Sequence, residues 1–173
     1  ITVDNDAPTV TAAATNTTYS EGNSQSADDV FTVSSLSTVE ANQTIANFKF
    51  TVSNVASGDF AIINGTDVEL VTNASGVTVA TNVKAVVDAS VSPVLVTVAP
   101  VSPATMSTTV TESLINAIFF KSTSHDPTAN SSSRTVTLSS ITDTDNAGTP
   151  DLATLSVLNS SSNAVQSTVT VND

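Results

Sequence analysis

The stretch Phe48-Lys49-Phe50-Thr51-Val52-Ser53 reads apolar, polar, apolar, polar without a break. Period-two alternation puts Phe48, Phe50 and Val52 on one face of an extended chain and Lys49, Thr51 and Ser53 on the other, which is a strand with one buried face. The pattern recurs outward along the chain. Val94, Val96 and Val98 alternate with Leu95 and Thr97; Val136 and Leu138 sit between Thr135, Thr137 and Ser139; Val169 and Val171 sit between Thr168 and Thr170. β-Branched residues suit such pleated surfaces. Further strands are expected near 8–13, 29–35, 67–72, 76–81 and 152–158, separated by Asn-Gly, Ser-Gly, Ala-Gly and proline-containing turns. Asn64-Gly65, between Ile62-Ile63 and Val68, is the clearest hairpin signal. Many short strands broken by turn chemistry predict an all-β Greek-key sandwich rather than an α/β fold.

One helix is expected, over Thr111-Glu112-Ser113-Leu114-Ile115-Asn116-Ala117-Ile118, with Thr111 as its cap and Leu114, Ile115 and Ile118 on one face. It runs straight into Phe119-Phe120-Lys121, so one or two turns should dock at a sandwich edge. Residues 84–108 are the least patterned. The 173 residues make a single domain, whose few aromatics predict an aliphatic core.

Sixteen acidic residues against four basic ones leave a net charge of −12. Such a chain repels nucleic acid and anionic membranes and attracts cations. With no cysteine there is no disulfide, thiolate nucleophile or zinc-thiolate site. No apolar run approaches the roughly 20 residues that cross a bilayer, so no membrane insertion is expected.

The chain opens Ile1-Thr2-Val3-Asp4-Asn5-Asp6-Ala7-Pro8 and closes Thr168-Val169-Thr170-Val171-Asn172-Asp173. A strand running into Asn-Asp at both ends is the pattern of one unit of a tandem array, with residues 1–7 as a linker and 169–173 as the start of the next. Any export signal is then expected elsewhere in a longer parent chain.

The opening Asp4-Asn5-Asp6-Ala7-Pro8 resembles the Asp-x-Asn-Asp-Asn-x-Pro linker of cadherin repeats. Ser20-Glu21-Gly22, Asp126 in Ser124-His125-Asp126-Pro127, the strand Arg134 to Ser139 and Asp143-Thr144-Asp145 follow in the cadherin order. Together with Tyr19-Ser20-Glu21-Gly22, Thr38 to Thr44, Phe50 to Val55 and Ser122 to Thr128, they are similar to the cadherin-like repeats of giant bacterial RTX-type surface adhesins. Where cadherins carry Asp-Arg-Glu this chain has His125-Asp126-Pro127-Thr128, without the second acidic ligand. The resemblance implies a cadherin-like or immunoglobulin-like sandwich that binds Ca²⁺ between neighbouring repeats. It implies an extender role in a secreted or cell-surface bacterial adhesin.

The residues themselves carry matching chemistry. Ca²⁺ takes six to eight oxygens at about 2.3–2.6 Å from carboxylates, amides and backbone carbonyls. Asp4, Asn5, Asp6, Asp143 and Asp145 present such oxygens at short spacing. In a cadherin-like Greek key these five residues and Asp59 gather at one end, and Glu21, Glu40, Asp126, Asn172 and Asp173 at the other. Each cluster is then about half an ion site, completed by the neighbouring repeat.

Other readings are weaker. Ser124-His125-Asp126 are sequence neighbours on an extended segment and point apart, there is no Gly-x-Ser-x-Gly elbow, and His125 reads as a loop side chain, so no catalytic site is expected. Without tryptophan, and with Tyr19 as the one tyrosine, there is no aromatic platform for sugars. Asp28-Asp29 reads as a solvated turn. The alternatives to the spacer are a sugar- or protein-binding module using loops between 54 and 108, and an S-layer-like self-assembling coat subunit.

Overall fold

The computed structural model describes residues 5–144, 154–156 and 165–173. In chain order the strands are β1 (Thr9–Ala14), β2 (Thr18–Ser20), β3 (Phe31–Ser37), β4 (Ile45–Ser53), β5 (Asp59–Ile63), β6 (Thr66–Glu69), β7 (Ala74–Ala80), β8 (Val83–Asp88) and β9 (Val94–Pro100). The helix α1 (Thr108–Ile115) follows, then β10 (Ile118–Ser122), β11 (Ser133–Asp143), β12 (Thr154–Ser156) and β13 (Val165–Asn172). The described residues form an all-β sandwich with one short helix.

One layer is a large sheet in the order β2-β13-β11-β4-β9-β8-β7, with β12 also paired to β11. The other consists of the pair β1-β3 and the triple β10-β5-β6. Strands far apart in the chain lie side by side, since β4 is hydrogen-bonded to both β11 and β9. Such interlocked connections are of the Greek-key kind.

Phe48, Phe50 and Val52 of β4 face inward, as the alternation requires, and meet Val94, Val96 and Val98 of β9 in register. Val136 and Leu138 of β11 and Val165, Val169 and Val171 of β13 extend the same buried face. Phe31, Ile63, Ile118 and Phe120 cover it from the other layer. Burying a side chain of this size contributes about 1.5–3 kcal/mol, so this interleaved core, in which Tyr19, Phe31, Phe48, Phe50 and Phe120 pack among the expected aliphatic residues, carries the fold.

The first strand changes sheets. β1 pairs with β3, and β2, three residues further on, pairs parallel to β13 in the large sheet. Asn16, at φ 57, makes the crossing. Its Oδ1 accepts from Thr168 N at 2.9 Å and its N–H donates to Ser167 Oγ at 3.0 Å, so the kink is tied to β13. Asparagine tolerates the left-handed region because its short amide bonds locally.

Two details differ from expectation. The helix starts three residues earlier, with Ser107 as its cap, accepting from Val110 N at 3.1 Å. Thr111 is a buried interior residue whose hydroxyl donates to Ser107 O at 2.8 Å, and Ile118 already belongs to β10. Residues 84–108 hold most of β8 as well as β9, whose alternation was expected; β8 is hidden from sequence reading because Val86 points outward at 43% exposure between inward Ala85 and Val87. The Asn64-Gly65 hairpin forms as expected, with Ile63 opposite Thr66.

The 11 residues of β11 span roughly 35 Å. This strand defines an upper pole, where it ends at Asp143, and a lower pole, where it begins at Ser133.

Candidate functional site

The upper pole gathers three of the expected residues. Asn5 Nδ2 donates to the fully buried Asp143 Oδ1 at 3.2 Å, and Asp6 follows Asn5 with its side chain exposed. Gln43 Nε2 donates to Asn5 Oδ1. Thr144 N donates to Thr44 O at 2.9 Å, and the two threonine hydroxyls lie 2.9 Å apart, which closes the loop before β4 onto the end of β11. Asp4 and Asp145 lie outside the described residues.

Glu40, expected at the other end, belongs here, because its Oε1 accepts from Asp6 N at 3.1 Å. The segment Thr38–Thr44 connects β3 to β4 over this pole and so carries Glu40 and Gln43 to it. Gln43 was not singled out as a ligand from sequence, and Glu40 only as a member of the opposite cluster. The available signal was Glu40 and Gln43 on one short connection rich in oxygen donors.

Three oxygens of this region are buried without any hydrogen-bond partner: Glu40 Oε2, Gln43 Oε1 and Asn47 Oδ1. Asn47 stands opposite Thr142 in the β4–β11 ladder, one step from Asp143. All three are acceptors, and a buried acceptor without a donor costs about 1–3 kcal/mol. Among the described residues no three of His, Cys, Asp or Glu stand close enough together to hold a metal ion. The donors here are instead one carboxylate with amide carbonyls, a mixture that calcium accepts and transition metals do not favour.

The lower pole gathers Glu21, Asp126 and Asp173, as expected. Glu21 N donates to Asn172 O at 2.9 Å, which fixes the turn after β2 beside the end of β13. Thr128 Oγ1 lies 3.2 Å from Asp126 Oδ1 and 2.6 Å from Asp173 Oδ2, so two exposed carboxylates flank one hydroxyl. His125 faces solvent with Nδ1 3.8 Å from Glu21 Oε1, and Ser124 Oγ accepts from Asp126 N at 3.2 Å. An open groove of about 320 Å³ runs past Tyr19, Glu21, Lys121 and His125.

Asp59 corrects the expectation in the opposite sense. It was placed with the upper cluster, yet it is fully buried near the lower pole in an ion pair with the equally buried Arg134, Nε to Oδ2 2.6 Å. Gly58 makes the approach possible: at φ +88 its Cα lies so close to loop 123–132 that a Cβ would stand 3.0 Å from Ser124 N. The pair was legible in part, since Arg134 shares the inward phase of Val136 and Leu138 and Asp59 that of Ala61 and Ile63.

Comparison with protein-family models, curated proteins and solved structures finds no match to this chain.

Proposed function

We propose that the chain is a calcium-stiffened extender repeat of a large secreted or cell-surface bacterial adhesin, a spacer that projects a distal binding region. The observation that carries this reading is the set of buried, donorless oxygens of Glu40, Gln43 and Asn47. These three would hold the ion, beside Asn5, Asp6 and Asp143. Bound there, calcium supplies positive charge and satisfies acceptors that the chain's own donors leave unmet. Asp6, exposed at the upper pole, and Glu21, Asp126 and Asp173, exposed at the lower, would face neighbouring repeats and fix the angle between them. A polar, acidic surface poor in aromatics suits a spacer better than a binder.

The test is thermal unfolding of this chain, and of two copies joined in tandem, in calcium and in chelator. Binding to the folded state alone stabilises by about 2.7 kcal/mol at a hundredfold excess over Kd. A calcium-dependent rise in Tm, larger in the pair and lost in Glu40→Gln/Asp6→Ala, is the expected result. An identical Tm with and without calcium in both proteins would remove the calcium mechanism.

A further inference from the structure

The interior of the lower pole holds a group that the spacer reading does not use. Arg134 is 0% exposed, and all three of its guanidinium nitrogens are hydrogen-bonded. Nε donates to Asp59 Oδ2 at 2.6 Å, and Nη2 reaches Asp59 Oδ1 at 3.5 Å and Pro127 O at 3.0 Å. Nη1 reaches Ser131 O at 2.7 Å and Ser133 O at 3.3 Å. A buried ion pair is a poor source of stability, because apolar residues of similar volume often do as well or better. What the planar fork adds over an apolar filler is direction, several acceptors held at once in one plane.

Two of those acceptors, Pro127 O and Ser131 O, belong to the loop 123–132 between β10 and β11. They draw its main chain inward on either side of Thr128, while Asp126, next to Pro127, stays exposed. The counter-ion is itself fixed. Asp59 Oδ2 accepts from Ala56 N at 2.9 Å, and Asp59 O accepts from Leu70 N at 3.1 Å. Beneath the guanidinium, 5.8 Å away, lies the Phe120 ring, against which Tyr19 packs edge-on, its hydroxyl donating to Ser122 O at 2.5 Å.

We propose that Arg134 is the positioning residue of the lower pole: from inside the sandwich it shapes loop 123–132 and thereby sets the Asp126 and Asp173 carboxylates about Thr128. The proposal rests on reading that pole as one face of a joint between repeats, and Arg134 acts there only through the loop.

Amide hydrogen exchange on the whole chain in chelator tests it, comparing wild type with Arg134→Lys and with Asp59→Leu/Arg134→Met. Lysine keeps a positive charge beside Asp59 but has no fork to span Pro127 O and Ser131 O; the double variant leaves no unpaired charge. In both, the amides of Asp126, Ala129 and Ser133 should exchange faster by about tenfold or more relative to those of Phe50 and Val96, the scale of losing one charge-assisted hydrogen bond. Loop amides as protected as in wild type would overturn the proposal. So would a uniform loss over loop and strands alike, which marks a purely structural role. A calcium titration of two wild-type copies joined in tandem, followed at the Asp126 and Asp173 amides that face the joint, reads the joint separately: silence there sinks the joint, while exchange still decides Arg134.

Discussion

At the lower pole the buried carboxylate of Asp59 lies against Arg134, whereas at the upper pole Glu40, Gln43 and Asn47 each keep a buried oxygen with no donor. The chain has only four basic residues to distribute. Arg134 is committed to Asp59 and Lys121 to Asp67, and neither Lys49 nor Lys84 makes an ion pair among the described residues. Arg134 thus meets the buried carboxylate of one pole from within, while no basic side chain meets the buried acceptors of the other among the described residues. The difference teaches that two acidic poles need not share a chemistry: at one a buried carboxylate is met by a buried cation, and at the other buried acceptors are left unmet.

Breaking the internal pair should have the largest effect. Arg134→Met leaves Asp59 buried and uncompensated, and such removals cost about 3–5 kcal/mol. At roughly 2–4 °C per kcal/mol for a chain of this size, thermal unfolding should shift down by about 6–20 °C. Asp59→Leu/Arg134→Met should recover most of that loss. Equal destabilisation by the single and double variants would show that the packing, not the stranded charge, dominates.

Supplying a cation sharpens the contrast from the other side. Calcium at a hundredfold excess over Kd should raise the Tm by about 5–11 °C, from about 2.7 kcal/mol of linkage. Glu40→Gln should abolish this rise without lowering stability in chelator, because the carboxylate has no cation to lose and its buried oxygen no donor. Asp126→Asn, at the other pole, should leave the response of the single chain intact. If the two substitutions act alike, the poles do not differ as described.

The smallest effect belongs to the lower-pole hydroxyl. Thr128→Val removes the donor between Asp126 and Asp173. Chemical denaturation should report a loss of about 0.5–1.5 kcal/mol, with the calcium response of the single chain unchanged.

Much of this architecture was legible in the sequence. The alternation from Phe48 to Ser53 places the central strand, and Asn64-Gly65 places the β5–β6 turn, because strand phase and turn chemistry are local. The helix was legible but misframed: Thr111 is as good a cap as Ser107 by type, and only packing decides which one lies at the solvent end. β8 escaped notice because Val86 puts an apolar residue on the wet face. Of the site, the grouping of Asn5 and Asp6 with Asp143, and of Glu21 with Asp126 and Asp173, was expected only through the resemblance to cadherin repeats. The exchanged positions of Glu40 and Asp59 were not, since nothing local says at which end a connection lies.

By itself, then, the sequence determined the all-β class, the inward faces of the main strands, the acidic character of both ends and the poverty of cations. Tertiary structure alone decided that Arg134 meets Asp59 across 75 positions and that Asn5 meets Asp143 across 138. The physical reason is that a period of two records which face of a strand is buried and carries no record of its neighbour. Whether a polar residue in the inward phase finds a partner is settled only when the sheets close over it.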